Sequence, residues 1–170
     1  TDFAAWQRGV LGSPDDPTTT AGEQLEFWRS TLAGVPEVIE LPLDRPRPMR
    51  REMQGGAVPL EIPADIVGSL NELAQRNQAS LFMVVHALVA TLLARLSNSD
   101  DITVGTPVGG RDHADLEPLV GMFVNTVVLR TRVDAGDRFD DLLSRVRAGD
   151  LDAFANDDIP FENVVGALVP

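Results

Sequence analysis

The chain has 170 residues, 44% hydrophobic and 24% charged, with a formal net charge of -12 in which every basic residue is Arg. Such an acidic chain is not held on nucleic acid or anionic lipid by bulk electrostatics, and the lack of Cys removes disulfides, thiolate nucleophiles and Cys metal sites. The length suits one domain with a real core or a large part of a bigger one. The chain starts on Thr1-Asp2 without a Met or signal peptide, and its most apolar stretch, residues 81–96, is shorter than a membrane span and contains His86 and Arg95. The expectation is a cytoplasmic protein with no nucleic-acid or membrane partner, cut from a longer polypeptide.

In chain order, Phe3, Trp6, Gln7 and Val10 have helical spacing, so residues 3–10 are expected as a short amphipathic helix. Residues 11–20 are a Gly/Pro/Thr linker. Residues 21–32 read as a helix with Leu25, Trp28 and Leu32 on one face, stopped by Gly34 and Pro36. Three alternating prolines make residues 41–48 an extended connector. Val58, Leu60 and Ile62 alternate as in a strand over 57–62. Pro63 opens a helix that turns Ile66, Val67, Leu70, Leu73 and Ala74 inward. Ser80 is the expected N-cap of a helix over 81–96, apolar nearly all round and therefore expected to be buried. His86, in its middle, is expected to be structural.

Residues 101–107 (DITVGTP) read as a buried strand, followed by a loop over 109–113. Residues 120–130 (VGMFVNTVVLR), continuing to about Val133, read as a second strand, buried on both faces, around which the rest is arranged. Its two neutral polar residues, Asn125 and Thr126, point to opposite faces, so only one can address a given cleft. Either backbone satisfies them or one lines a solvent-filled channel. Asp137 is expected to cap a helix with Phe139, Leu142, Leu143, Val146 and Leu151 inward, and Pro160 to start a last short helix with Glu162 in its first turn. Helices separated by strands point to an α/β layered domain with a mixed sheet flanked by helices.

No catalytic centre is visible in these residues. There is no Gly-x-Ser-x-Gly elbow and no His-Glu-x-x-His pair, and the two histidines, His86 and His113, are far apart in bland surroundings. The loop at Gly109-Gly110-Arg111 is no phosphate cradle, since no Gly-Lys-Ser/Thr follows. The Asp157-Asp158 pair before a Pro-started helix reads most simply as a cap and a solvated charge.

Several segments resemble the condensation domains of nonribosomal peptide synthetases. Residues 1–7 (TDFAAWQ) resemble that family's Tyr-x-Asp-Phe-Ala-x-Trp segment. Residues 25–28 (LEFW) followed by 41–46 (LPLDRP) resemble its crossing into the second half. Residues 101–111 (DITVGTPVGGR) and 120–130 are very close to two further motifs, and 156–162 (NDDIPFE) resembles a His/Asn-Gln-Asp-x-Pro-Phe-Glu motif with Asp157 in place of Gln. The resemblance implies a chloramphenicol acetyltransferase-like lobe: residues 1–40 as the tail of the N-terminal lobe and inter-lobe linker, 41–170 as an incomplete C-terminal lobe. It also implies an amide bond formed between donor and acceptor thioesters on phosphopantetheine arms, with no cofactor bound directly. The implied partners are upstream and downstream peptidyl carrier proteins, the N-terminal lobe of the same domain and an adjacent adenylation domain.

The family's His-His-x-x-x-Asp-Gly motif is absent from the sequence and expected upstream, so no catalytic residue is assigned and the fragment alone is expected to be inactive. Expected to line a substrate tunnel are Gly105, Thr106, Gly109, Met122, Phe123, Asn125 and Thr126, with Gly105 and Gly109 admitting the pantetheine arm closely and Asn125 positioning a substrate amide or the pantetheine arm. Trp6, Arg45, Arg111, Arg130, Asp158, Pro160, Phe161 and Glu162 are expected as motif or structural residues. The competing readings are a non-catalytic carrier-protein-binding module and a lobe of a related epimerising or ester-forming domain; the Phe-Val-Asn-Thr segment favours condensation.

Overall fold

The computed structural model describes residues 2–46, 48–50, 55–111 and 114–168. Among these described residues six helices and two strands follow in order: α1 (Asp2–Leu11), α2 (Thr20–Thr31), α3 (Ala64–Arg76), α4 (Leu81–Ser97), β1 (Asp101–Val108), β2 (Asn125–Arg132), α5 (Phe139–Phe154) and α6 (Phe161–Leu168), with a 3-10 turn at Ala114–Leu116. Among the described residues the sheet is the antiparallel pair β1–β2. The chain divides into two compact units. One comprises Thr1–Pro36, Thr103–Thr131 and Ala148–Pro170, the other Glu37–Ile102 and Arg132–Arg147.

The core of the first unit is built on α2. Leu25, Trp28 and Leu32 lie within 8% of full burial and pack with Val127 and Leu129 of β2, Ala153 of α5, Ile159 and Val164. The Thr19 side chain caps α2 by accepting from the Gly22 N–H. At the other end Arg130 donates to the carbonyls of Thr31 (2.7 Å) and Ala33 (2.9 Å), a cation on the negative end of the helix dipole. Gly34 follows at φ +69° as the expected stop.

In the second unit Ala74 of α3, Met83, Val84 and Ala87 of α4, and Leu142, Leu143 and Val146 of α5 form the core. Ser80 caps α4, accepting from the Met83 N–H at 3.2 Å. On α3, Ala74 is buried and Val67, Leu70 and Leu73 are partly so, whereas Ile66 is exposed.

Four expectations are corrected. Residues 57–62 form no strand: Val58 is 92% and Leu60 84% exposed, and no neighbouring strand among the described residues satisfies the alternation. Strand β2 begins at Asn125, not at residue 120, and Val120, Met122 and Val124 are exposed. From Val127 on, buried residues alternate with half-buried ones, so the strand has one buried face and not two. In α5, Asp150 and Ala153 are buried where Leu151 was expected, and the Asp137 carboxylate accepts from Arg145 instead of capping.

The fourth concerns α4. Its packed side holds Met83, Val84, His86, Ala87 and Ala90, but Leu81, Phe82, Val85, Leu88, Val89, Leu92 and Leu96 are each 36–55% exposed. At 100° per residue those seven fall in one sector of about a third of the circumference. The helix is apolar all round, as its sequence requires, yet only one side is covered.

Candidate functional site

The first unit contains a cavity of about 370 Å³ whose walls come from α1, the end of β1, the start of β2 and the loop before α6. Its apolar wall combines the aromatic Phe3, Trp6 and Phe123 with Val10, Leu11, Val108 and Leu116. Phe3 and Trp6 lie one helical turn apart on α1 with centroids 5.7 Å apart, and Phe3 meets Phe123 edge-on at 4.7 Å. Asn125, Asp157 and Asp158 form the polar edge.

Phe123 is fixed from two sides. The Arg111 guanidinium lies 4.0 Å from its ring centroid, in cation–π contact, and donates to the carbonyls of Leu116 and Glu117. Gly110, at φ +58°, runs so close to the Phe123 backbone that a Cβ there would come within 2.1 Å of the Phe123 carbonyl oxygen. No L side chain fits that turn.

Asn125 is a backbone clamp. Its Nδ2 donates to the carbonyls of Asp157 (2.7 Å) and Ile159 (2.8 Å), and its Oδ1 accepts from the Phe161 N–H (3.1 Å). Both amide protons are therefore used inside the protein, and the expectation that this amide is offered to substrate is revised: Asn125 lines the cavity while holding the loop that forms its far edge. From α2 the same loop is held by Gln24, whose Nε2 donates to Asp158 Oδ2 (2.8 Å) and whose Oε1 accepts from the Ile159 N–H (2.9 Å). Trp28 Nε1 donates to the Asn156 carbonyl (2.9 Å).

The structure thus brings together Phe123, Asn125, Trp6 and Asp158 on one cavity, with Arg111 behind Phe123 and Phe161 tied to Asn125. It does not bring Gly105, Thr106, Gly109, Met122 or Thr126 to that cavity. Met122 is 85% exposed. Thr126, on the opposite face of β2 from Asn125, groups with Trp28, Ile159 and Phe161. Gly105 and Gly109 have no neighbour within the chain that a Cβ would crowd, whereas Gly110 does.

Arg45 and Glu162 are exposed, Glu162 in the first turn of α6, which follows Pro160. His86 is 5% exposed on the packed side of α4, its ring 6.3 Å from Phe82, and does not line the cavity. His113 lies outside the described residues. Among those residues no group of His, Asp or Glu is arranged to hold a metal ion.

Two contributors escape sequence reasoning. In the sequence Phe3 has a place on an amphipathic face and in the 1–7 motif, neither of which points to a cavity wall. Gln24 was not singled out, although a polar residue next to Leu25 on the Ala21–Trp28 side of α2 is the available sign of a buried, hydrogen-bonded amide.

Residues 1–169 match the family model of the condensation domain. The chain belongs to the condensation-domain family. It is 43% identical, over 99% of its own length, to a probable non-canonical nonribosomal peptide synthetase of Salinispora arenicola, and 43% identical over 99% to a dimodular nonribosomal peptide synthase of Bacillus subtilis. It spans only 2% and 7% of those two proteins. Among solved structures it is similar to the X-domain from teicoplanin biosynthesis, with TM-score 0.90 and 31% identity over 98% of this chain and 37% of that one. The first condensation domain of the CDA synthetase shares the fold, with TM-score 0.77 and 22% identity over 99% of this chain and 36% of that one. The chloramphenicol acetyltransferase-like α/β fold expected for this condensation-domain chain is therefore the fold observed. No single helix among the described residues is long and apolar enough to cross a membrane.

Proposed function

We propose that this chain is the wall-forming part of a nonribosomal peptide synthetase condensation domain. In that reaction the amine nitrogen of an acceptor aminoacyl thioester attacks the carbonyl carbon of a donor thioester. The carbon–nitrogen bond forms, the carbon–sulfur bond breaks, and the donor's phosphopantetheine thiol leaves with the proton lost by the amine. This chain supplies a preformed cavity wall and surface for carrier proteins; the general base comes from outside it. The supporting observation is the Asn125 clamp, which joins the segments 120–130 and 156–162 into one cavity edge through three hydrogen bonds. Two sequence motifs far apart in the chain are thereby made one rigid feature, as pre-organised chemistry requires.

The reading is tested by supplying the full condensation domain that contains this chain with loaded donor and acceptor carrier proteins. Dipeptidyl thioester is expected by mass spectrometry from that domain and not from the 170-residue chain alone. Product from the chain alone would show that the base lies within it, and no product from the full domain would overturn the reading. A second reading, a module that binds partners without chemistry, is favoured by the similarity to an X-domain whose structure was determined in complex with OxyB. Carrier binding without product identifies that case.

A further inference from the structure

The loop over residues 156–161 shares six hydrogen bonds with three side chains of α2 and β2: two with Gln24, one with Trp28 and three with Asn125. Asn125 and Trp28 act on backbone atoms alone. Gln24 is different because its two ends do different work. Its Oε1 satisfies the N–H of Ile159, a residue 2% exposed, which is a structural duty. Its Nε2 holds Oδ2 of Asp158, an exposed carboxylate on the cavity edge. A buried amide, 5% exposed, thus reaches out of the core to fix the direction of an acid that the cavity presents. A carboxylate left to itself at a protein surface samples several rotamers, so the tether sets which oxygen faces the cavity.

We propose that Gln24 is a positioning residue for the condensation reaction, acting through Asp158 to hold the polar edge of the aromatic cavity in one orientation. The proposal rests on the condensation reading above and adds to it a residue of α2, outside the cavity lining.

The test separates the two ends of the amide. In the full condensation domain, Gln24→Glu keeps an oxygen for the Ile159 N–H but sets a carboxylate against Asp158, where two acids in contact share a proton or repel. Single-turnover rate per folded molecule, measured well below the melting transition, is expected to fall about tenfold at pH 8, a fraction of what loss of a general base would cause. The deficit is expected to shrink toward pH 6 as the pair takes up a proton. Adding Asp158→Asn restores the contact with its polarity reversed, Asn Nδ2 donating to the Glu carboxylate and the Asn oxygen left on the cavity side. Because Asp158→Asn alters the cavity edge itself, the double variant is compared with Asp158→Asn alone, and its rate is expected to lie within about threefold of that variant at both pH 8 and pH 6. A merely structural Gln24 would lower the melting temperature and leave the rate per folded molecule and its pH profile unmoved, and that result overturns the proposal. So does a double variant whose deficit, measured against Asp158→Asn alone, keeps the size and pH dependence of the Gln24→Glu deficit. An inactive wild-type domain would instead overturn the condensation reading itself.

Discussion

Replacing Asn125 by Ala removes three hydrogen bonds between β2 and the loop before α6. The Asp157 carbonyl belongs to a half-buried residue and can recover a water partner. The Ile159 carbonyl and the Phe161 N–H sit beside the buried core formed with Trp28 and Val164, where rehydration is harder. Counting about 1 kcal/mol for each bond, the loss is about 2 kcal/mol if only the two sheltered groups stay unpaired and about 3 kcal/mol if all three do. Local opening of residues 156–161 should then become about 30 to 150 times more frequent, since each 1.4 kcal/mol is a factor of ten. Hydrogen exchange read by mass spectrometry on a peptide covering the loop measures this directly: the Phe161 amide should exchange faster by that factor while α3 and α4 exchange as before. Asn125→Asp should rescue little, because it returns the acceptor for Phe161 but faces two carbonyls with a carboxylate. Protection at Phe161 changed by less than threefold in the Ala variant would refute the clamp and return Asn125 to the list of groups free to meet substrate.

Gly110→Ala should be among the most disruptive single changes, costing about 3 kcal/mol or more, because it combines a left-handed backbone with a Cβ driven onto the Phe123 carbonyl; denaturant unfolding checks it. His86→Leu should leave turnover of the full domain within a few-fold, whereas a thousandfold loss with the fold intact would make His86 an acid or base. The Thr18 side chain and N–H both bond to Asp16 Oδ1, holding that carboxyl below its ordinary range. Its contribution to stability is therefore present above the ordinary carboxylate value and lost as pH falls through the depressed one. Thr18→Val should move the Asp16 titration midpoint upward in carbon-detected NMR.

The helices were legible because their signals are local. Ser80 marks the start of α4, Pro63 that of α3 and Pro160 that of α6, and Leu25, Trp28 and Leu32 repeat at the helical period. The strands were less so. Residues 57–62 alternate as well as any strand, but alternation states only what a strand would do if a neighbour paired with it. The run 120–124 is as apolar as the strand it precedes, and composition cannot tell a buried residue from one with nothing packed on it.

The cavity segments are legible by resemblance, but only the structure shows that Phe123 and Asn125 line this cavity and that Gly105 and Met122 do not. The pairing of Gln24 with Asp158 spans 134 positions, a distance over which a single sequence carries no signal.

The open side of α4 has a practical consequence for anyone who handles this chain as a separate piece. A contiguous strip containing Phe82, Val85, Val89, Leu92 and Leu96 is a greasy handle: it invites chaperones, detergents and neighbouring molecules in proportion to concentration. A segment exchanged between related chains carries the same strip with it. A graft that preserves the cavity but meets α4 with a polar surface leaves that side of the helix wet, and recombination points chosen from motif positions alone do not see the mismatch.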